Sequence, residues 1–124
     1  MPEEYISKAQ QKLDASICLY NAGFYDDSIS RSYYSIYHSV KAFFHKKGKE
    51  ESEFRKLSHG GILGKLGIWF IKNGLLEVKY ARMFGRALER RKLADYTPSL
   101  VFSKNDAKEI LDFAREFMRL YEQD

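Results

Sequence analysis

The chain has 124 residues, of which 44% are hydrophobic and 31% charged, and this balance predicts one compact domain over residues 1–124 and excludes two. The sequence has one cysteine, no apolar run near the roughly 18 residues of a membrane span and no secretion signal at its start, so we expect a cytoplasmic protein without disulfides or membrane contact. The net charge of +4 permits a polyanionic partner such as RNA without requiring one.

The first half of the sequence predicts two long helices. Proline occurs only at positions 2 and 98, so the sequence between them lacks the strongest helix breaker and favours an all-α fold. The first helix is predicted over residues 3–21, ended by Gly23, and the second over residues 25–47. Cys18 is expected to be a small buried residue of the first helix.

A charged loop is predicted over residues 49–56, followed by a third helix that Ser58 caps and that reaches about residue 73. Four glycines leave this helix a flat surface: Gly60, Gly61, Gly64 and Gly67. Such a surface suits the close approach of another backbone. A phosphate-binding loop is the sharper alternative, but no strand precedes the glycines and their spacing matches neither nucleotide fingerprint.

The last two helices complete an up-and-down bundle of four to five helices. The fourth is predicted over residues 76–93, with Thr97 and Pro98 in the loop beyond it. Ser103 and Asp106 form a capping-box pattern that opens the fifth helix, which carries the cleanest apolar stripe.

The predicted fourth helix carries most of the clustered positive charge. Arg82, Arg86 and Arg90 fall on one flank, which is either a solvated surface or a face that binds RNA or a nucleotide. Arg91 instead projects into the apolar arc, where a cation needs a partner. Asp95, four residues on, is within helical pairing distance if the helix continues that far.

The predicted second helix offers another polar cluster. Arg31, Tyr34, His38 and His45 lie away from its main apolar arc, and Arg31 and His38 could bracket a phosphate. The simpler interpretation is that this stripe packs against a neighbouring helix. Three histidines without a convergent cysteine or carboxylate cluster make a metal site improbable, and we expect no cofactor.

Four segments of the sequence, in register, resemble prokaryotic HEPN domains. Residues 23–40 resemble the Arg-Ala-Tyr-Tyr-Ala-Met-Phe-His core of that family. The other three segments are Ser58-His59-Gly60-Gly61, Phe70-Ile71-Lys72-Asn73-Gly74-Leu75-Leu76 and Arg91-Lys92-Leu93-Ala94-Asp95-Tyr96, the last similar to an Arg-x-x-Ala-Asp-Tyr signature. The resemblance implies a helical bundle, usually dimeric, that is often encoded beside a minimal nucleotidyltransferase.

Many members of the family that this chain resembles are ribonuclease toxins, and these carry an Arg-x(4 to 6)-His motif near the end of the fourth helix. Here the corresponding positions hold Asp95, Tyr96, Thr97 and Pro98, and no histidine follows. Metal-independent RNA cleavage needs a group that exchanges a proton near neutral pH, as histidine does. The departure therefore predicts a domain that has lost nuclease activity.

Three functions follow as hypotheses. The first is a subunit that binds a nucleotide or a partner and acts with a minimal nucleotidyltransferase in a toxin-antitoxin-like system. The second is a metal-independent ribonuclease with Arg91, Asp95 and Tyr96 as catalytic residues, or Arg31 with His38. The third is a structural dimerisation module. A homodimer is expected in addition, because 19 aromatic residues exceed what one small core usually absorbs.

Overall fold

The computed structural model describes residues 2–123, and every regular element within them is helical. The elements are α1 (Pro2–Asn21), α2 (Tyr25–Lys46), α3 (Glu51–Phe54), α4 (His59–Leu66) with a π-helical continuation (Gly67–Ile71), α5 (Lys79–Tyr96) and α6 (Lys104–Glu122). The all-α bundle is therefore confirmed, with one short helix more than the sequence predicted.

The central element is α2, which packs against α1, α5 and α6. Its apolar side chains Ile29, Ile36 and Phe44 are fully buried. The interface with α1 is built on serines: the Ser16 hydroxyl lies 2.9 Å from the Ser28 carbonyl oxygen, and the Ser28 hydroxyl donates to the Ser16 carbonyl at 3.0 Å. Because these side chains are small and satisfy one another, α1 and α2 can pack closely without leaving buried polar groups unpaired.

The predicted helix ends are confirmed where they depend on local chemistry. Gly23 and Gly74 have φ values of +86° and +74°, a conformation that glycine adopts at little cost. The Ser58 hydroxyl accepts from the Gly61 amide at 3.0 Å at the start of α4. Ser103 and Asp106 form the complete capping box of α6, whose predicted apolar stripe is buried from Ala107 to Met118.

The predicted charged loop was wrong over part of its length, because α3 forms within it. Phe54 is fully buried, with its ring centroid 5.6 Å from that of Phe44. The Tyr5 hydroxyl also donates to Glu51 Oε1 at 2.6 Å, which ties α3 to α1. Contacts with distant residues therefore stabilise a helix of four residues that has no apolar periodicity of its own.

Three further expectations need correction. The fourth predicted helix begins later, as α5, because residues 74–78 are not helical. It also continues past residue 93 to Tyr96 and ends two residues before Pro98, which cannot continue a helix. Cys18 is exposed rather than buried, because it lies about half a turn away from the buried side of α1 that Leu13 and Ser16 occupy. The regular α-helical hydrogen bonding of the third predicted helix gives way to a π-helical turn at Gly67.

The glycine surface of α4 does not receive another backbone of this chain. A Cβ atom added at Gly64 or Gly67 would meet nothing within 4 Å among the described residues. The prediction of close helix packing is therefore wrong within the monomer, and this surface is open.

Candidate functional site

A cleft of about 530 Å³ lies where α1, α2 and the end of α5 meet. It is lined by Lys8, Lys12, Asp27, Ser30, Arg31, Tyr34, His38 and Asp95. Arg31 and His38, predicted as one candidate catalytic pair, therefore lie in the same cleft as Asp95, which was predicted in the other candidate set with Arg91 and Tyr96.

Arg91 lies beneath this cleft and is almost wholly buried, with 6% of its surface exposed. Its Nη1 lies 3.5 Å from Asp95 Oδ2, so the predicted placement and pairing are confirmed. Its Cζ lies 5.4 Å from the ring centroid of Tyr33 and 5.5 Å from that of Tyr34. Aromatic faces attract a desolvated guanidinium, so these rings supply much of the compensation for its burial.

Asp95 joins α5 to α2 at the edge of the cleft. The Ser30 hydroxyl donates to Asp95 Oδ1 at 2.5 Å, while Oδ2 faces Arg91. Both carboxylate oxygens therefore have protein partners. The residue fixes the end of α5 against α2 and holds Arg91 in place.

Three cations of the cleft have no such partner. Among the described residues, no carboxylate lies within 4.0 Å of the charged groups of Lys8, Lys12 or Arg31, whereas Arg91 has Asp95. Lys8 and Lys12 are one helical turn apart on α1 and face Arg31 across the cleft from α2. Unpaired cations that converge in a concave site focus a positive potential there, which favours anions.

His38 is neutral at pH 7 in this setting. Burial, together with the positive charges of Lys41, Lys12 and Lys8, lowers its pKa to about 4. Its Nδ1 is buried and has no hydrogen-bond partner within the part of the chain that the structure describes, so Nε2 is the ring nitrogen open to the cleft. A neutral imidazole can donate or accept a hydrogen bond, but it cannot deliver a proton as a general acid at neutral pH.

Aromatic side chains outside the cleft pack against Tyr34 and His38, the two rings that line it. The Tyr33 hydroxyl lies 2.6 Å from His59 Nδ1, and the His59 ring lies 4.6 Å from that of Tyr37. Burial raises the pKa of the Tyr33 hydroxyl. Burial also lowers the pKa of His59, and the positive charge of Arg91 lowers the His59 pKa further. Tyr33 is therefore the donor and neutral His59 the acceptor, an arrangement that fixes the start of α4 against α2.

Lys8, Lys12 and Ser30 line the cleft but were not predicted as site residues. Nor was Lys41, which is buried with its Nζ 4.5 Å from the ring centroid of Tyr37. The four-residue spacing of Lys8 and Lys12 was the available signal on α1. Nothing in the sequence indicated that α1 would turn this face toward Arg31.

The predicted basic flank of α5 lies outside the cleft. Arg86 Nε pairs with Glu109 at 2.7 Å, and Arg90 pairs with Glu89 at 2.8 Å. Arg82 lines a separate apolar groove. Tyr96 is 74% exposed, and its ring lies 6.0 Å from the Arg91 guanidinium. The assignment of phosphate contacts to Arg82, Arg86 and Arg90 stays a prediction.

Within residues 2–123, no group of three or more histidine, cysteine or carboxylate side chains is arranged to hold a metal ion. Among the same residues, no helix combines the length and apolar character needed to cross a bilayer.

Two named archaeal proteins and one solved structure are similar to this chain. The protein named "Putative toxin MJ0142" of Methanocaldococcus jannaschii is 34% identical over 94% of this chain and 76% of its own length. "Putative toxin MJ0605" of the same organism is 32% identical over 74% of this chain and 65% of its own length. A HEPN domain protein from Thermotoga maritima has the same fold, with a TM-score of 0.68 at 23% identity over 97% of this chain and 95% of the other. The family described as HEPN domain matches residues 2–124. The chain therefore belongs to the HEPN domain family.

Proposed function

We propose that this HEPN domain binds RNA or a nucleotide through the cleft between α1, α2 and α5, and that it does not cleave RNA by itself. The observation that carries the proposal is the set of three cations, Lys8, Lys12 and Arg31, that line the cleft without a carboxylate partner among residues 2–123. Phosphate groups are the anions that such clusters bind in nucleic acids and nucleotides. The names of the relatives support a toxin-like role for this binding.

The groups in the cleft support the proposed lack of cleavage. Metal-independent hydrolysis of RNA needs a proton acceptor and a proton donor that work near neutral pH. His38, whose pKa is about 4, is not charged at pH 7, and Arg91 is held beneath the cleft by Asp95 and the tyrosine rings. Neither group is placed as the donor of a catalytic pair.

The test is an RNA cleavage assay in EDTA. Wild type, Arg31→Ala, Asp95→His and the control Arg55→Ala, which removes an exposed arginine at the end of α3, are incubated with mixed RNA. All four are expected to leave the RNA intact, because a histidine introduced at residue 95 inherits no catalytic placement. RNA binding is expected to fall in Arg31→Ala and to persist in Arg55→Ala.

A metal-independent ribonuclease is the second candidate, and one observation favours it. Arg31, His38 and Asp95 line the same cleft, so a positive charge, an imidazole and a carboxylate are within one site. Robust cleavage by wild type that disappears in Arg31→Ala and persists in Arg55→Ala would establish this function and overturn the first.

A homodimer completes the proposal for this chain. The open groove beside α4 is lined by Leu63, Gly64, Gly67, Ile68 and Ala81, with Lys72 and Arg82 at its edge. Ile68 is 58% exposed there, and apolar surface flanked by glycines permits the close approach of a second copy. Light scattering should give twice the 14.6 kDa mass at tens of micromolar, and Ile68→Arg should give the monomer mass.

A minimal nucleotidyltransferase is the proposed protein partner. The proposal depends on the family membership of the chain, because genes for such enzymes often lie beside those for HEPN domains. Co-expression with an adjacent nucleotidyltransferase should yield a complex that survives size-exclusion chromatography. Separate elution of the two proteins at concentrations of tens of micromolar would contradict the partnership.

A further inference from the structure

We infer that the cleft recognises a terminal phosphate monoester, the group found at the end of an RNA strand or on a nucleotide, rather than the phosphodiester backbone. This inference rests on the proposed anion-binding function and specifies the ligand of that site. The charge balance of the cleft, the exposed nitrogen of His38 and the aromatic ring beside them carry the argument.

The charge balance favours a dianion. Asp95 is already compensated by Arg91, so its charge does not offset the remaining cations. Lys8, Lys12 and Arg31 then stand against a single carboxylate, Asp27, which leaves an excess of two positive charges in the lining. A phosphate monoester carries about −1.5 to −2 at pH 7 and matches this excess. A diester carries one negative charge and would leave one cation uncompensated.

The hydrogen-bonding groups also suit the oxygens of a monoester. Arg31 offers a planar set of N–H donors, and the two lysines offer ammonium donors from the opposite helix. His38 adds a donor. Its buried Nδ1 has no partner among the described residues, and a buried acceptor without a partner costs less free energy than a buried N–H without one. The ring proton is therefore on Nε2, which is open to the cleft. Donors from two helices can therefore surround a phosphate that has three free oxygens.

Tyr34 lines the cleft beside these donors and gives the rest of the ligand a place to bind. Its ring packs edge-on against Tyr33 at 5.4 Å and lies 5.5 Å from the Arg91 guanidinium, so it is held in one orientation. Bases stack on aromatic side chains of this kind in proteins that bind single strands. A phosphate at Arg31 with a base against Tyr34 describes a nucleotide or a strand end.

Isothermal titration calorimetry with five probes tests the inference directly: AMP, cyclic 3′,5′-AMP, adenosine, inorganic phosphate and an oligoribonucleotide phosphorylated at its 5′ or 3′ end. AMP should bind about tenfold or more tightly than cyclic AMP, since the additional charge acts on unpaired cations, and adenosine should show no binding. Inorganic phosphate as tight as AMP would identify free phosphate as a sufficient ligand. If inorganic phosphate binds more weakly than AMP, the ligand is a nucleotide. If the phosphorylated oligoribonucleotide binds more tightly than AMP, the ligand is the end of an RNA strand.

Matched variants locate the binding. Arg31→Ala should weaken AMP binding by about 10- to 100-fold, the range for loss of hydrogen bonds to a charged group, while Arg55→Ala should leave it unchanged. Lys12→Ala should weaken it, and Lys56→Ala, an exposed lysine outside the cleft, should not. In NMR spectra, AMP should shift the ring protons of His38 and leave those of His45, which is on the same helix outside the cleft.

Three results would overturn the inference. They are equal affinities for AMP and cyclic AMP, no binding of any probe, and equal effects of Arg31→Ala and Arg55→Ala. The proposed function fails separately. If RNA binding depends on Arg31 but is the same for phosphorylated and unphosphorylated ends, the anion-binding function stands and the monoester specificity is wrong. If RNA binding is insensitive to Arg31, the proposed site itself is wrong.

Discussion

Replacing Arg91 with alanine should destabilise the fold far more than replacing Arg82, although both are arginines of α5. Arg91 is 6% exposed and lies against Tyr33 and Tyr34, whereas Arg82 is exposed. A desolvated cation–π contact contributes about 2 kcal/mol, and the 3.5 Å pair with the partly exposed Asp95 adds up to about 1 kcal/mol. With the lost packing of the side-chain stem, the expected cost is about 2 to 4 kcal/mol.

For a chain of this length, about 3 to 5 °C of melting temperature corresponds to 1 kcal/mol, so Arg91→Ala should lower the melting temperature by about 10 °C. Arg82→Ala should change it by less than about 2 °C. Circular dichroism at 222 nm measures both variants under the same conditions, because the fold is helical.

A third variant separates charge from packing. Arg91→Met removes the charge but fills most of the same volume, and buried ion pairs can often be replaced by apolar side chains at little cost. Its melting temperature should therefore fall between those of Arg91→Ala and wild type. Equal melting shifts for Arg91→Ala and Arg82→Ala would refute the argument that the arginine is a buried, ring-stacked part of the core.

Two other predictions concern protonation and local order. The folded-state pKa of His38 is depressed from 6.5 to about 4, so as the pH falls the unfolded chain binds the proton before the folded chain does. The free energy of unfolding should therefore fall by about 1 to 2 kcal/mol between pH 6.5 and pH 4, a range that allows for solvent screening. Urea unfolding at both pH values should show a smaller fall in His38→Gln, and equal falls would contradict the assignment. Tyr5→Phe removes the hydroxyl that bonds Glu51, and hydrogen exchange of residues 51–54 should accelerate while that of α6 stays unchanged. Unchanged exchange in α3 would show that the buried Phe54 suffices to hold it.

The sequence predicted the parts of the fold that depend on local chemistry. Helical periodicity and the glycine and serine signals located five of the helices, and the burial of Arg91 with Asp95 four residues on followed from the helical wheel. The short α3 was not predicted, because its capping box begins with Glu50 instead of the usual serine or threonine, and the packing of Phe54 and the bond from Tyr5 to Glu51 are made between residues distant in sequence.

The site was predicted only in pieces for a related reason. Arg31 with His38 and Arg91 with Asp95 are spacings within single helices, and periodicity shows such spacings directly. The contact of Ser30 with Asp95, and the position of Lys8 and Lys12 opposite Arg31, depend on how α1, α2 and α5 are arranged. One helix considered alone therefore could not show that the two candidate sets share a cleft.

The salt dependence of RNA binding tests the central claim most directly, because each phosphate contact contributes to its slope. A plot of the logarithm of the binding constant against the logarithm of salt concentration should lose about one unit of slope in Arg31→Ala and none in Arg55→Ala. An unchanged slope in Arg31→Ala, together with a reduced slope in Arg82→Ala, would place RNA on the flank of α5 and contradict the assignment of the cleft.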